Sequence, residues 1–313
     1  MSGRIDETVL LDWTELGGAG MPVLCVHGFS HDRSVWIGLA RALEHEARVI
    51  APDLRGHGRS PWSPTGRYDL ADYARDLPRL LDALELDRVH VVGHSLGGNV
   101  ATLFAADHPA RVASLVLVDT GPALERAGSL HIAGEVDAAF GSLASPAEQR
   151  ARLAAIHPEG DGGILDALAQ SSLASRLDGR FEPALDPGVI GGGPSPADLE
   201  RIEAQLWSAL ASLVCPVLVV RGGRSAVLAE AVARRMVGEV LRAGRLVTLP
   251  AAGHAVIIDD GAGLTRVIRD FLAEQPRLGA EAASRAPAPG IRETPVREES
   301  RWRRSSSYPS AGR

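Results

Sequence analysis

"VHVVGHSLGGNV", residues 89–100, decides how this chain folds. An apolar run ends at Gly93, a serine follows at 95, further glycines stand at 97 and 98, and a second apolar run begins. A strand that stops there and restarts as a helix has to turn sharply. Glycines at 93 and 97 carry no Cβ, so neighbouring chain can come close. The serine between them is forced into a strained backbone conformation. Its Oγ then stands exposed above the strand end, beside the positive end of the helix dipole. The plainer reading is a flexible turn that happens to contain a serine. The order strand, G-x-S-x-G, helix favours the chemical reading.

Outward from this stretch the same alternation repeats. "PVLCVHG" (22–28), "RVIAPD" (48–53), "RVHVVGH" (88–94), "SLVLVD" (114–119), "PVLVVRG" (216–222) and "RLVTLP" (245–250) are short and almost continuously apolar. That pattern predicts strands buried on both faces, as in a parallel sheet. Segments 34–46, 70–86, 96–108, 227–239 and 261–274 read as helices, with Pro78 kinking the second of them or starting its latter half. Alternating strands and helices predict an α/β fold with a mostly parallel, doubly wound sheet. "ETVLLDWTEL", closed by "GGAG", predicts an antiparallel edge strand and a turn. Between 122 and 212 strand signals vanish, and Ala/Leu-rich helical pieces alternate with breaks such as "PEGDGG" and "IGGGPSP". The expected organisation is a core over 1–121, a helical lid over 122–212, the second part of the core over 213–276, and a disordered tail over 277–313. The tail is rich in Pro, Ser, Ala, Arg and Glu.

Composition excludes several classes. The 313 residues carry a net charge of −6, against the basic excess of a nucleic-acid-binding domain. No apolar run reaches the roughly 20 residues needed to span a bilayer, and the N-terminus does not read as a signal peptide. Two cysteines, Cys25 and Cys215, without C-x-x-C spacing read as buried thiols in a cytoplasmic protein. There is no H-E-x-x-H, no G-x-G-x-x-G after the first strand and no Walker pattern. The expectation is therefore no metal, no cofactor and a small-molecule substrate, with the oligomeric state left open.

Four stretches together resemble the α/β-hydrolase fold superfamily, in its lidded esterase, lactonase and C–C hydrolase form. They are "VHGFSHDRSVW" (26–36), "APDLRGHGRS" (51–60), "VVGHSLGG" (91–98) and "LPAAGHAV" (249–256). The resemblance covers roughly residues 5–276 and is weakest in the lid, which it places after the sixth strand. It implies Ser95 as nucleophile, His254 as base, and backbone N–H groups of Phe29 and Leu96 as an oxyanion hole. His27, Gly28 and His94 are expected around the substrate pocket, with His27 and Gly28 shaping their loop. The chain departs from the pattern at Ser225-Ala226, where relatives often carry Ser-Asp. Asp119, at the end of the preceding strand, keeps the order Ser…Asp…His and is the expected replacement. Asp259, Asp260 and Glu230 are alternatives, as is an incomplete set. Asp53, Arg55, His57 and Arg59 are read as loop-fixing groups, and Arg176, Arg180 and Asp186 as ion pairs holding the lid or as substrate contacts. Phe29, Trp36, Trp62 and Trp207 are candidate pocket walls. The expected function is a serine hydrolase of an ester, lactone, thioester or activated C–C bond. A weakened ligand-binding module, or perhydrolase or acyltransferase chemistry, is the alternative.

Overall fold

The apolar runs line up as one seven-stranded sheet in the computed structural model, which describes residues 9–18, 20–123, 128, 141–190 and 195–275. In chain order the elements are β1 (Trp13–Gly17), β2 (Met21–Val26), α1 (Ile37–Ala42), β3 (Ala47–Pro52), α2 (Leu70–Ala83), β4 (Val89–His94), α3 (Leu96–Asp107) and β5 (Val112–Val118). There follow α4 (Pro146–Ile156), α5 (Gly162–Ser171), β6 (Leu173–Ser175), β7 (Phe181–Pro183) and α6 (Pro196–Ser212). The chain closes with β8 (Val217–Gly222), α7 (Glu230–Arg235), β9 (Gly244–Leu249), α8 (Val256–Asp259) and α9 (Gly261–Ala273). The sheet order is β1-β3-β2-β4-β5-β8-β9. Only β1 runs antiparallel to its neighbour, with Trp13 opposite Pro52 and Gly17 opposite Arg48.

Successive strand residues feed two separate cores, which explains the unbroken apolar runs. Leu24, Val91, Leu115, Leu117, Val217 and Val219 point to the face covered by α2, α3, α6 and α7. Val23, Cys25, Val92, Val116, Leu218 and Val220 point to the face covered by α1, α5, α8 and α9. Each such side chain contributes about 1.5–3 kcal/mol when taken out of water. Cys25 and Cys215 are buried and unbridged, and burial pushes the Cys215 thiol up to about 11.

Three expectations change in detail. The insertion was placed after the sixth strand; among the described residues it follows the fifth, because a single antiparallel edge strand, β1, precedes the parallel set. The insertion is not wholly helical. β6 and β7 form a hairpin with Ala174 opposite Glu182, and three residues per strand are too few to show a period. Pro78 does not start a second half of α2, which runs through it as one helix. The missing N–H costs one hydrogen bond at a single position.

α6 begins where its sequence says it should. Ser195 accepts from the Asp198 N–H, Asp198 reaches back to the Ser195 N–H, and Pro196 fills the first helical position. The insertion is tied to the core at several places. Gly58 N–H donates to Ala184 O and Asp186 N–H to Gly56 O, both at 2.8 Å. Tyr68 donates its hydroxyl to Asp186. Asp161 N–H donates to Ile258 O at 3.1 Å. Among the described residues no helix is long and apolar enough to cross a membrane. The tail reading, 277–313, lies outside the described residues.

Candidate active site

Three turns converge at the C-terminal edge of the sheet, and each holds its key residue in place through backbone. Ser95 caps α3 at φ 50° and ψ −119°, in the region that a side chain normally avoids. Its N–H continues the ladder by donating to Val118 O at 3.1 Å. The flanking glycines are required by space. A Cβ on Gly97 would stand 2.3 Å from Val26 O, and one on Gly93 2.5 Å from Gly97 O. Asp119 follows β5 directly, also at positive φ (47°), with its N–H donating to Val220 O at 2.7 Å. His254 sits in the loop between β9 and α8.

These three side chains form one hydrogen-bonded line. His254 Nε2 lies 3.0 Å from Ser95 Oγ, and His254 Nδ1 lies 2.7 Å from Asp119 Oδ2. A carboxylate only accepts, so Nδ1 carries the proton and the Nε2 lone pair faces the serine hydroxyl. Asp119 is fully buried and His254 nearly so. Asp119 is held in turn: Oδ1 accepts from Gly222 N–H at 2.8 Å, and Oδ2 accepts the Ser225 hydroxyl.

The alternative acids are engaged elsewhere. Asp259 accepts from His157 Nδ1 at 2.9 Å and from Gly253 N–H at 2.8 Å. Asp260 caps α9 through Gly263 N–H, and Glu230 pairs with Arg234 on the surface.

Ser95 opens onto a cavity of about 280 Å³, near the lower end of the usual range for ligand pockets. Phe29, Leu96, His94 and His254 share its wall, as do Asn99, Thr120 and Val227. From the insertion come Leu199, Ile202, Glu203 and Leu206 of α6. Leu96 is the first residue of α3, so its N–H has no acceptor within the helix. His94 donates from Nε2 to the backbone carbonyl of His254 at 3.0 Å, tying the Ser95 turn to the histidine loop. Burial pushes its proton affinity well below the usual histidine range.

Two expected pocket residues are not on the wall. His27 is fully buried, with Nδ1 on Gly28 O at 2.8 Å and Nε2 accepting from Leu54 N–H at 2.9 Å. Both ring nitrogens are spent on fixing the loop. Gly28 is buried beneath the Ser95 turn, where a Cβ would come within 2.7 Å of His94 Nδ1. The 53–60 loop is fixed as expected. Asp53 accepts from the Arg33 guanidinium at 2.6 Å and from Arg59 N–H at 2.9 Å, and Arg55 grips Asp76 through two bonds of 2.6 Å. Arg176 pairs with Asp178 and Glu182, and Arg180 binds Ser142, so both serve the hairpin rather than the cavity. Of the four aromatics only Phe29 lines the cavity. Trp36 is in the core, Trp62 is exposed, and Trp207, on α6, packs half-buried against the core.

Ser225, Asn99 and Glu203 are among the site residues that sequence reasoning missed. Ser225 stood in the very dipeptide that drew attention for its missing Asp. Asn99 lies one helical turn after Ser95, a spacing that was available to read, and its Oδ1 accepts from the Thr120 hydroxyl at 2.9 Å.

A family model described as the alpha/beta hydrolase fold matches residues 21–150. The crystal structure of E-2-(acetamidomethylene)succinate hydrolase superposes with a TM-score of 0.73 at 27% identity, covering 84% of this chain and 95% of that one. This chain has the fold of the α/β-hydrolase superfamily. Within that superfamily it is similar to the dihydrolipoyllysine-residue acetyltransferase component of the acetoin cleaving system of Pseudomonas putida. That match is 34% identical over 265 residues, covering 84% of this chain and 66% of that protein. It is also similar to the 2-hydroxymuconate semialdehyde hydrolase of Pseudomonas sp. (strain CF600), at 29% identity over 82% of this chain and 88% of the relative. Several other curated relatives are spanned by this hydrolase-fold chain over only 31–38% of their length.

Proposed function

We propose that the chain is a serine hydrolase that cleaves a carboxylic ester, or a closely related lactone, thioester or activated C–C bond. The observation that carries this reading is the unbroken line Asp119–His254–Ser95, with the serine hydroxyl open to a cavity. In the proposed reaction His254 takes the Ser95 proton at Nε2 as Oγ attacks the acyl carbon. Asp119 holds the ring and stabilises the imidazolium. Backbone N–H groups of Leu96 and Phe29 receive the oxyanion. His254 then returns the proton to the leaving group. Water, activated by the same nitrogen, releases the acid from the acyl-enzyme. The insertion, expected over 122–212, serves as the lid, with α6 forming one wall. The small cavity favours short acyl groups. A weakened binding module is the alternative where His254 has no acid, and Asp119 at 2.7 Å from Nδ1 supports the hydrolase instead.

Ser225 has a defined part in this scheme. Its hydroxyl is one of three donors on the Asp119 carboxylate. Ser225→Ala is expected to lower kcat about tenfold, the scale of one lost hydrogen bond to a charged group, with KM nearly unchanged. Steady-state kinetics on one ester checks this, and an unchanged kcat contradicts it.

The function is tested by offering purified protein short-chain p-nitrophenyl esters, a thioester and a lactone, with no metal or cofactor added. Saturable turnover of at least one is expected. Failure on all of them removes the reading.

A further inference from the structure

The ionisable groups on the cavity wall supply no positive charge at neutral pH beyond the transient one on His254. Among the described lining residues there is no Lys or Arg. Two histidines besides His254 face the cavity, but burial keeps both neutral, pushing His31 down to about 3 and His94 well below the usual range. The Asp119 charge is spent on His254. Glu203 is different. It projects from α6 beside Leu199 and Ile202, is exposed, and accepts one hydrogen bond from Trp207 Nε1 at 3.2 Å. No ion pair of Glu203 occurs among the described residues. The cation brought closest through Trp207 is Arg235, which stacks on the indole at 4.2 Å and lies 3.8 Å from Glu239.

We propose that Glu203 is a specificity determinant, selecting uncharged and cationic substrates and rejecting those that carry a carboxylate. This rests on the hydrolase reading above for the identity of the site. A like charge about 4 Å from a solvent-open carboxylate costs about 1 kcal/mol, a factor of about five in affinity. The effect is electrostatic, so it fades at about 1 M salt, where the screening length falls to about 3 Å.

The test uses Ser95→Ala protein, which keeps the cavity and does not consume its ligand. Calorimetric titration compares p-nitrophenyl butyrate with mono-p-nitrophenyl succinate, which carries one added carboxylate. The neutral ester is expected to bind about fivefold more tightly at low salt. Adding Glu203→Gln brings the ratio toward one, as does about 1 M NaCl, and Glu203→Lys reverses the preference. Equal binding of the two esters, binding of neither, or a ratio untouched by Glu203→Gln overturns the proposal. The hydrolase reading is judged separately, by whether the parent protein turns over the neutral ester.

Discussion

Ser95→Ala is expected to remove ester hydrolysis by a factor of about 10³–10⁶ while leaving the fold intact. In the proposed reaction the hydroxyl oxygen bonds to the acyl carbon, and no neighbouring group is placed to take over that part. His94 is buried with Nε2 committed to the His254 carbonyl, and Thr120 donates to Asn99. The substitution removes one oxygen at a partly exposed position, so the melting temperature stays within a few degrees of the parent. Because Ser95 holds a positive φ, its backbone strain is the same for alanine, and the turn keeps its shape. What remains is the slow background from the oxyanion donors and from His254 acting on water. An alanine variant that retained parental kcat would mean that the serine does not form the acyl intermediate.

Asp119→Asn is expected to cost about 10⁴-fold in kcat, again without unfolding the protein. The reason is a proton position. Aspartate accepts from three donors, His254 Nδ1, Gly222 N–H and the Ser225 hydroxyl. An asparagine in the same pocket places an NH₂ group against one of them. If that group faces His254, it donates to Nδ1 and moves the ring proton to Nε2, where it points at Ser95 and blocks proton acceptance. If it turns the other way, it meets a donor of the loop and the pocket must shift. The first outcome leaves a histidine that cannot serve as base at neutral pH, and the second keeps its tautomer but displaces the side chain and removes the charge that would stabilise the imidazolium. KM changes little, since Asp119 sits behind the histidine. The kinetic split, with circular dichroism as a control for folding, is the check. Parental kcat in this variant would clear Asp119 and send the role of acid to another group.

Much of this arrangement could be read from the chain. The strands of the parallel sheet appear as unbroken Val/Leu/Ile runs because both of their faces are buried, and that is a strong local signal. The turn at Ser95 is legible because close backbone contact requires glycines at fixed offsets from it. The place of Asp119 beside His254 was legible through chain order and a strand end. Other features depend on partners distant in sequence. His27 looks like a pocket residue in its motif, yet it is turned inward to Leu54, a contact across 27 positions. Ser225 gains its role only from Asp119, 106 residues earlier. Glu203 lies on an amphipathic helix whose sequence does not say which edge meets a cavity. The β6–β7 hairpin is too short for its period to show. The boundaries of the insertion are blurred for the same reason, since its pieces are held by contacts with the 53–60 loop and the 256–259 helix.

The central claim is that Ser95 is a nucleophile activated by His254. It is tested most directly by incubating the protein with a fluorophosphonate and locating the adduct by peptide mass spectrometry. The account predicts one adduct per chain, on Ser95, formed rapidly in the parent and much more slowly in His254→Ala. An unlabelled protein, an adduct on another residue, or labelling of Ser95 at the same rate without His254 would contradict it.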